Sequence, residues 1–235
     1  MKIHIYSIMW NEEYLLPYFL RHYSLFADKI FIINDHSTDR TVEIAKANDK
    51  VTLLNFEYTR GLNEDDFNYC FSDLYKKYSR GVADWVMCVD TDELIYNKDM
   101  ITNLENQHRK GVRIIKTTGY MMISRNLPQT DGQIYDQCGE GLRIRSYDKP
   151  VVFDPSLDIT FGDGRHNIEP IPGIRPQKGK LTLLHYRYLS KEYFLTRSNN
   201  QFSRMDVTEE YKNYRIKRGL AYYNNALTMP LTKII

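Results

Sequence analysis

No stretch of this 235-residue chain approaches the roughly 18 to 20 consecutive apolar residues that a helical membrane span requires. The opening segment MKIHIYSIMWNEE meets polar residues too soon to serve as a secretory leader, so a soluble, cytoplasmic protein is expected. Cysteine is scarce. Cys70, Cys88 and Cys138 are odd in number and widely spaced, without a CxxC pair, which argues against a zinc cluster or redox motif and for inert thiols in a reducing compartment. Excess charge of one sign is also missing: 32 Lys and Arg stand against 30 Asp and Glu. The basic residues are scattered rather than gathered into a stripe, and nucleic acid is therefore set aside as a partner. Internal repeats, low-complexity tracts and obvious linkers are absent too.

What is present is a globular composition, 42% hydrophobic and 26% charged, at a length that suits one compact domain over residues 1–235. Tyrosine is abundant, at 19 residues, and its amphipathic ring suits binding clefts as well as strand faces. Short apolar runs at Lys2–Ile8, Lys29–Asn34, Val51–Phe56 and Trp85–Val89 alternate with helical patterns after Asn11, at TVEIAKAN and over Glu64–Tyr78. That alternation predicts an α/β fold built on a mostly parallel sheet flanked by helices. A helix over Asp99–His108 and a strand over Val112–Thr118 continue it. Residues 121–180, rich in Gly, Pro, Asp and aromatics, read as irregular loops before a strand at Leu181–Tyr188 and closing helices over Lys191–Asn225.

Ligands of open parallel sheets bind beyond the carboxyl ends of the strands. Asn11 and Glu12 follow the first strand, Asp35 and Asp39 the second, and Asp90, Asp92 and Glu93 the fourth, so the strand pattern gathers these acids at one edge. Asp90 and Asp92, at i and i+2, can share one small volume if the segment is extended. Two close anions tolerate each other when a divalent cation lies between them, and hard oxygen ligands suit magnesium or manganese with a substrate diphosphate. The plain alternative is a solvated turn with a helix-capping acid, since a bare DxD arises often by chance. Capping is likewise the plain reading of Asp35 and Asp39.

Taken together in order, WNEE (10–13), NDHSTDRT (34–41) and DWVMCVDTDE (84–93) resemble the family 2 glycosyltransferases of the GT-A fold, in particular a bacterial branch with an early Asn-Glu, a DxSTD-like turn and an aspartate-rich motif ending in Asp-Glu. The match is good over residues 1 to about 120 and looser at His185-Tyr186-Arg187. It departs at His36, where many relatives carry Gly. The resemblance implies a nucleotide-sugar-binding half (1–120) and an acceptor half with closing helices (121–235). It also implies a nucleotide-diphosphate sugar donor, with a UDP-sugar favoured, a Mn2+ or Mg2+ ion, and inverting transfer to a glycan or lipid-linked glycan in surface polysaccharide synthesis. Asn11, Glu12, Asp35 and Asp90 would line the donor pocket, Arg60 would approach the nucleotide, and Asp92 would ligate the metal.

His185, a polar ring in an apolar strand, needs a partner and by the same resemblance would complete the metal shell or touch the diphosphate. His166, in the loop GDGRHNI, could close over the donor as a metal or phosphate ligand. Arg165 and Arg187, beside these histidines, are candidates for neutralising phosphate. An inverting transfer needs a base on the acceptor side. Asp131, Asp136, Glu140 and Asp163 lie in that half, with Asp136 and Glu140 favoured by the segment QIYDQCGEGLR. Rival readings are a sugar nucleotidyltransferase, although the N-terminus lacks its Gly-rich phosphate loop; a non-catalytic nucleotide-sugar binder on the same fold; and a metal-assisted hydrolase. The Tyr- and Lys-rich end, 211–235, could touch a membrane surface or a partner, although a solvated helix face with a buried aromatic stripe is the simpler account.

Overall fold

A computed structural model describes residues 1–57, 64–205 and 207–235. In chain order it contains β1 (Ile3–Met9), α1 (Leu16–Tyr23), β2 (Lys29–Asn34), α2 (Thr41–Lys46), β3 (Val51–Asn55), α3 (Glu64–Tyr78), β4 (Trp85–Cys88), β5 (Glu93–Tyr96), α4 (Met100–Arg109) and β6 (Ile114–Ile123). There follow α5 (Ile134–Gln137), β7 (Glu140–Arg143), β8 (Val152–Phe153), β9 (Gln177–Tyr188), α6 (Lys191–Phe202), α7 (Glu209–Ala226) and β10 (Thr232–Lys233).

One ten-stranded sheet carries these elements. Its N-terminal part runs β3-β2-β1-β4 with every pairing parallel. β1 and β4 are buried along almost their whole length, as strands covered on both faces must be, which explains their continuous apolar character. Each fully enclosed aliphatic chain there contributes about 2 kcal/mol of burial. Beyond β4 the sheet passes through the antiparallel β8 to β6, whose outer edges hold β7 and the long parallel neighbour β9. β5 pairs antiparallel with β9, placing Glu93 opposite His185.

Two differences from the sequence expectation stand out. The strand expected at Val112–Thr118 runs from Ile114 to Ile123, and the one expected at Leu181–Tyr188 begins at Gln177. Residues 121–180, expected to be loops, also supply β7 and β8. These strands are short and are stabilised by pairing across the sheet, a long-range contribution that local composition does not register. Gly119 matters for the site. A Cβ there would meet the Tyr147 backbone at 2.3 Å, so only glycine lets the turn at Arg145–Tyr147 lie this close to β6. α6 and α7 close over the far end of the sheet, each begun by a capping hydroxyl: Ser190 accepts from the Tyr193 amide at 3.1 Å and Thr208 from the Tyr211 amide at 3.2 Å.

Candidate active site

The connections after β1 and β2 are stapled to one another. The Asn11 amide donates to Ser37 Oγ (3.1 Å), while Asn11 Oδ1 accepts from the Thr38 amide (2.7 Å). The Glu12 amide donates to Thr41 Oγ1 (2.7 Å), the Glu13 amide to Asp39 Oδ2 (3.0 Å) and the Arg40 amide to Glu13 Oε2 (3.1 Å). Asn11 and His36 adopt left-handed backbone, with φ of 52° and 57°. Glycine takes that conformation without cost, so both positions carry backbone strain that the hydrogen bonds of the staple hold in place. Asp39 Oδ1 also accepts from the Thr41 amide at the start of α2 (2.9 Å), so its carboxylate is used within the turn.

Five carboxylates from the strand ends meet five basic groups from later in the chain. Asp90 pairs with Arg165, and Lys149 Nζ lies 2.6 Å from Glu93 Oε1 and 4.0 Å from Asp90 Oδ2. Asp92 Oδ2 is 3.4 Å from both His185 Nε2 and Arg197 Nη2. Arg197 also reaches Glu12 Oε1 at 2.7 Å, and Arg204 reaches Asp35 Oδ2 at 2.7 Å while lying 4.2 Å from the centre of the Trp10 ring. Backbone bonds hold the acids in position: the Tyr186 amide donates to the Asp92 carbonyl (2.7 Å) and the Asp90 amide to Glu93 Oε2 (3.3 Å).

Burial opposes ionisation of Asp90 and Asp92, yet the adjacent basic side chains prevail and hold both below the usual carboxylate range: Arg165 and Lys149 for Asp90, Arg197 and then the His185 ring for Asp92. Glu12 behaves oppositely. Burial pushes its carboxyl up to about 7 against the pull of Arg197, with Asp92 and Asp90 adding to the rise. Burial also lowers His166, helped by the charge of Lys149.

Of the residues singled out from the sequence, Asp90 and Arg165 pair in a cluster with Lys149 and Glu93, Glu12, Asp92 and His185 meet in a second around Arg197, and Asp35 pairs separately with Arg204. His166 and Arg187 line an adjoining cavity of about 540 Å3 between β9 and α7, in which Tyr147 packs 4.7 Å from the His185 ring. Asn11 is engaged in the loop staple. Asp136 and Glu140 are exposed, on α5 and at the start of β7, and among the described residues neither bonds to the carboxylate network. Arg60 lies outside the described residues. Lys149, Arg197 and Arg204 were not singled out from the sequence. For Arg197 a signal existed: it lies on the inward side of α6 between the buried Phe194 and Ser198, where a charge needs a partner.

Among the described residues no group of three His, Cys, Asp or Glu side chains is arranged to hold a metal ion. Of the ligands expected from the sequence, Asp92 and His185 are juxtaposed at 3.4 Å, and His166 is turned instead toward the Ser146 carbonyl. Magnesium and manganese sites often take only one or two protein ligands and complete their shell with phosphate oxygens and water, so this pair fits a cation that arrives with a diphosphate. A closed protein cage it is not.

No family model matches the chain, and no curated protein sequence matches it significantly. Solved structures do. The crystal structure of S. aureus TarS 1-349 superposes with a TM-score of 0.50 at 17% identity, covering 92% of this chain and 69% of that one. The same fragment in complex with UDP gives a TM-score of 0.51 at 16% identity, over 96% of this chain and 71% of that one. The fold is GT-A. A longer TarS structure matches with a TM-score of 0.51 at 17% identity over 96% of this chain, which spans 43% of its length. The shared GT-A framework therefore includes the sheet edge on which the carboxylates converge. No described helix is long and apolar enough to cross a membrane.

Proposed function

We propose that the protein is a metal-dependent glycosyltransferase that moves a sugar from a nucleotide-diphosphate donor, with UDP favoured, to an acceptor hydroxyl with inversion, in the synthesis of a glycan or surface polysaccharide at the cytoplasmic face. The observation that carries this reading is the convergence of Glu12, Asp35, Asp90 and Asp92 at the carboxyl ends of β1, β2 and β4, each met by a cation, on a GT-A framework. The TarS structure holding UDP supports the choice of nucleotide.

In this reading the ion pairs of the free protein exchange partners when donor binds. Asp92 and His185 would hold Mn2+ or Mg2+, which as a Lewis acid stabilises the departing diphosphate. Arg165 and Arg197, released from full commitment to carboxylates, are placed to offer guanidinium forks to phosphate oxygens. Asp35, freed from Arg204, would meet the nucleoside. The acceptor oxygen forms its bond to the anomeric carbon as the bond to the diphosphate breaks. The nucleoside diphosphate leaves with that electron pair, and the hydroxyl proton passes to a base or to solvent.

Calorimetric titration of UDP-, GDP- and dTDP-sugars, with and without manganese, tests the proposal on the wild type and on Asp92→Ala. Metal-dependent binding of one donor that disappears in the variant is expected. If folded wild-type protein binds none of them, the reading is wrong.

A further inference from the structure

The cavity beside the carboxylate network carries charge that the donor reading does not use. Its lining includes Lys149, Arg187, Arg215 and Arg218 and not one Asp or Glu. Lys149 is already matched by Glu93 at 2.6 Å. Among the described residues Arg187, Arg215 and Arg218 form no ion pair, although Arg215 Nη1 donates to the Tyr211 hydroxyl at 2.5 Å. Three arginines thus border one space of about 540 Å3 whose lining holds no carboxylate.

Position separates this cavity from the donor. Along the sheet the acids run from Asp35 at the end of β2, through Glu12 after β1, to Asp90 and Asp92 after β4. The cavity begins beyond Asp92, at His185 on β9, and extends to Arg215 and Arg218 on α7. A donor laid over β2, β1 and β4 with its diphosphate at Asp92 carries its sugar to the near, His185 end of the cavity, which leaves the far end, toward Arg215 and Arg218, for the acceptor. The walls are aromatic as well as basic: Tyr147 packs on His185, and Tyr188 stacks on Phe194 with 5.1 Å between ring centres. The volume lies within the range of about 300 to 1,000 Å3 common for small-molecule sites. Aromatic faces suit the apolar side of a sugar ring, whereas arginine forks match carboxylate or phosphate two oxygens at a time.

We propose that this cavity is the acceptor subsite and that it selects a saccharide carrying an anionic group, phosphate or carboxylate, which Arg215 and Arg218 hold. The assignment to the acceptor rests on the transferase reading above, while the anion preference itself can be measured without donor. Protein saturated with UDP and Mn2+, and free protein, are titrated by NMR with methyl glucoside, glucuronic acid, glucose 6-phosphate and inorganic phosphate. Both are compared with Arg215→Gln/Arg218→Gln, whose exposed positions on α7 leave the core untouched. At least one of the two anionic sugars is expected to bind about tenfold more tightly than methyl glucoside, since hydrogen bonds to charged groups are each worth that much or more. Glucuronic acid against glucose 6-phosphate tells which anion is preferred. In the double variant this preference disappears while UDP affinity is unchanged. Equal binding of methyl glucoside, or a preference that survives the double variant, overturns the proposal. Displacement of UDP by glucose 6-phosphate or inorganic phosphate also overturns it, because the cations would then serve the donor. Failure of UDP to bind at all, with the anion preference intact, counts against the transferase reading and leaves the anion site standing.

Discussion

The acids of the site come from residues 12 to 93 and the basic groups that meet them from residues 149 to 204. The first region is the parallel β3-β2-β1-β4 edge, where short connections fix each carboxylate beside a strand end. The second is a succession of turns, a long strand and a helix that reaches back over that edge. Opposite charge therefore ties the two regions together at the candidate site. Taking charges out of water is costly unless each is matched, so a seam of this kind is poised rather than strong.

Removing one partner should expose that balance most sharply. Arg197 separates Glu12 from Asp92, so Arg197→Met leaves two buried carboxylates facing each other and should cost about 3 kcal/mol of stability. Urea unfolding measures it, and adding Glu12→Gln should recover part of the loss. An unchanged midpoint in Arg197→Met would mean that the seam is energetically idle.

The parallel region can be probed apart from the seam through His22, which is buried and hydrogen-bonded by Nε2 to the Ile95 carbonyl at 2.9 Å. Burial lowers its pKa to about 4. A histidine depressed in the folded state contributes stability that is present above its unfolded value of about 6.5 and is lost as pH falls toward 4, about 3 kcal/mol in all. His22→Gln should flatten that part of the pH profile, read from unfolding midpoints between pH 7 and 4.5. A wild-type slope retained in the variant would assign the acid lability to other groups.

The smallest effect concerns the thiols, which belong to both regions. Burial pushes Cys70 and Cys138 up to about 12 and Cys88 higher still. Ellman's reagent at pH 8 should therefore leave all three unlabelled in the native protein and label them on unfolding. Rapid labelling of Cys138 alone would show that the 121–180 segment opens independently of the parallel core.

How much of this was legible in the sequence follows the same division. Strands buried on both faces are continuous apolar runs, so their ends, and with them Glu12, Asp35, Asp90 and Asp92, can be found from local pattern. The cations cannot be found that way. Arg197 and Glu12 are 185 positions apart and Arg204 and Asp35 are 169 apart, distances over which no local periodicity operates. Lys149 precedes a two-residue strand whose existence depends on its neighbours β4 and β6. Asp136 and Glu140 stand in a glycine-rich context, which indicates a turn but says nothing about which way the turn faces.

The paired loops after β1 and β2 have one further consequence. Because the amides and side chains of residues 11–13 are bonded to those of 37–41 and back again, neither connection can swing outward without breaking bonds held by the other. The two share one opening free energy and behave as a single stiff lip along the sheet edge, so a force applied at Asn11 is felt at Thr41, the first residue of α2.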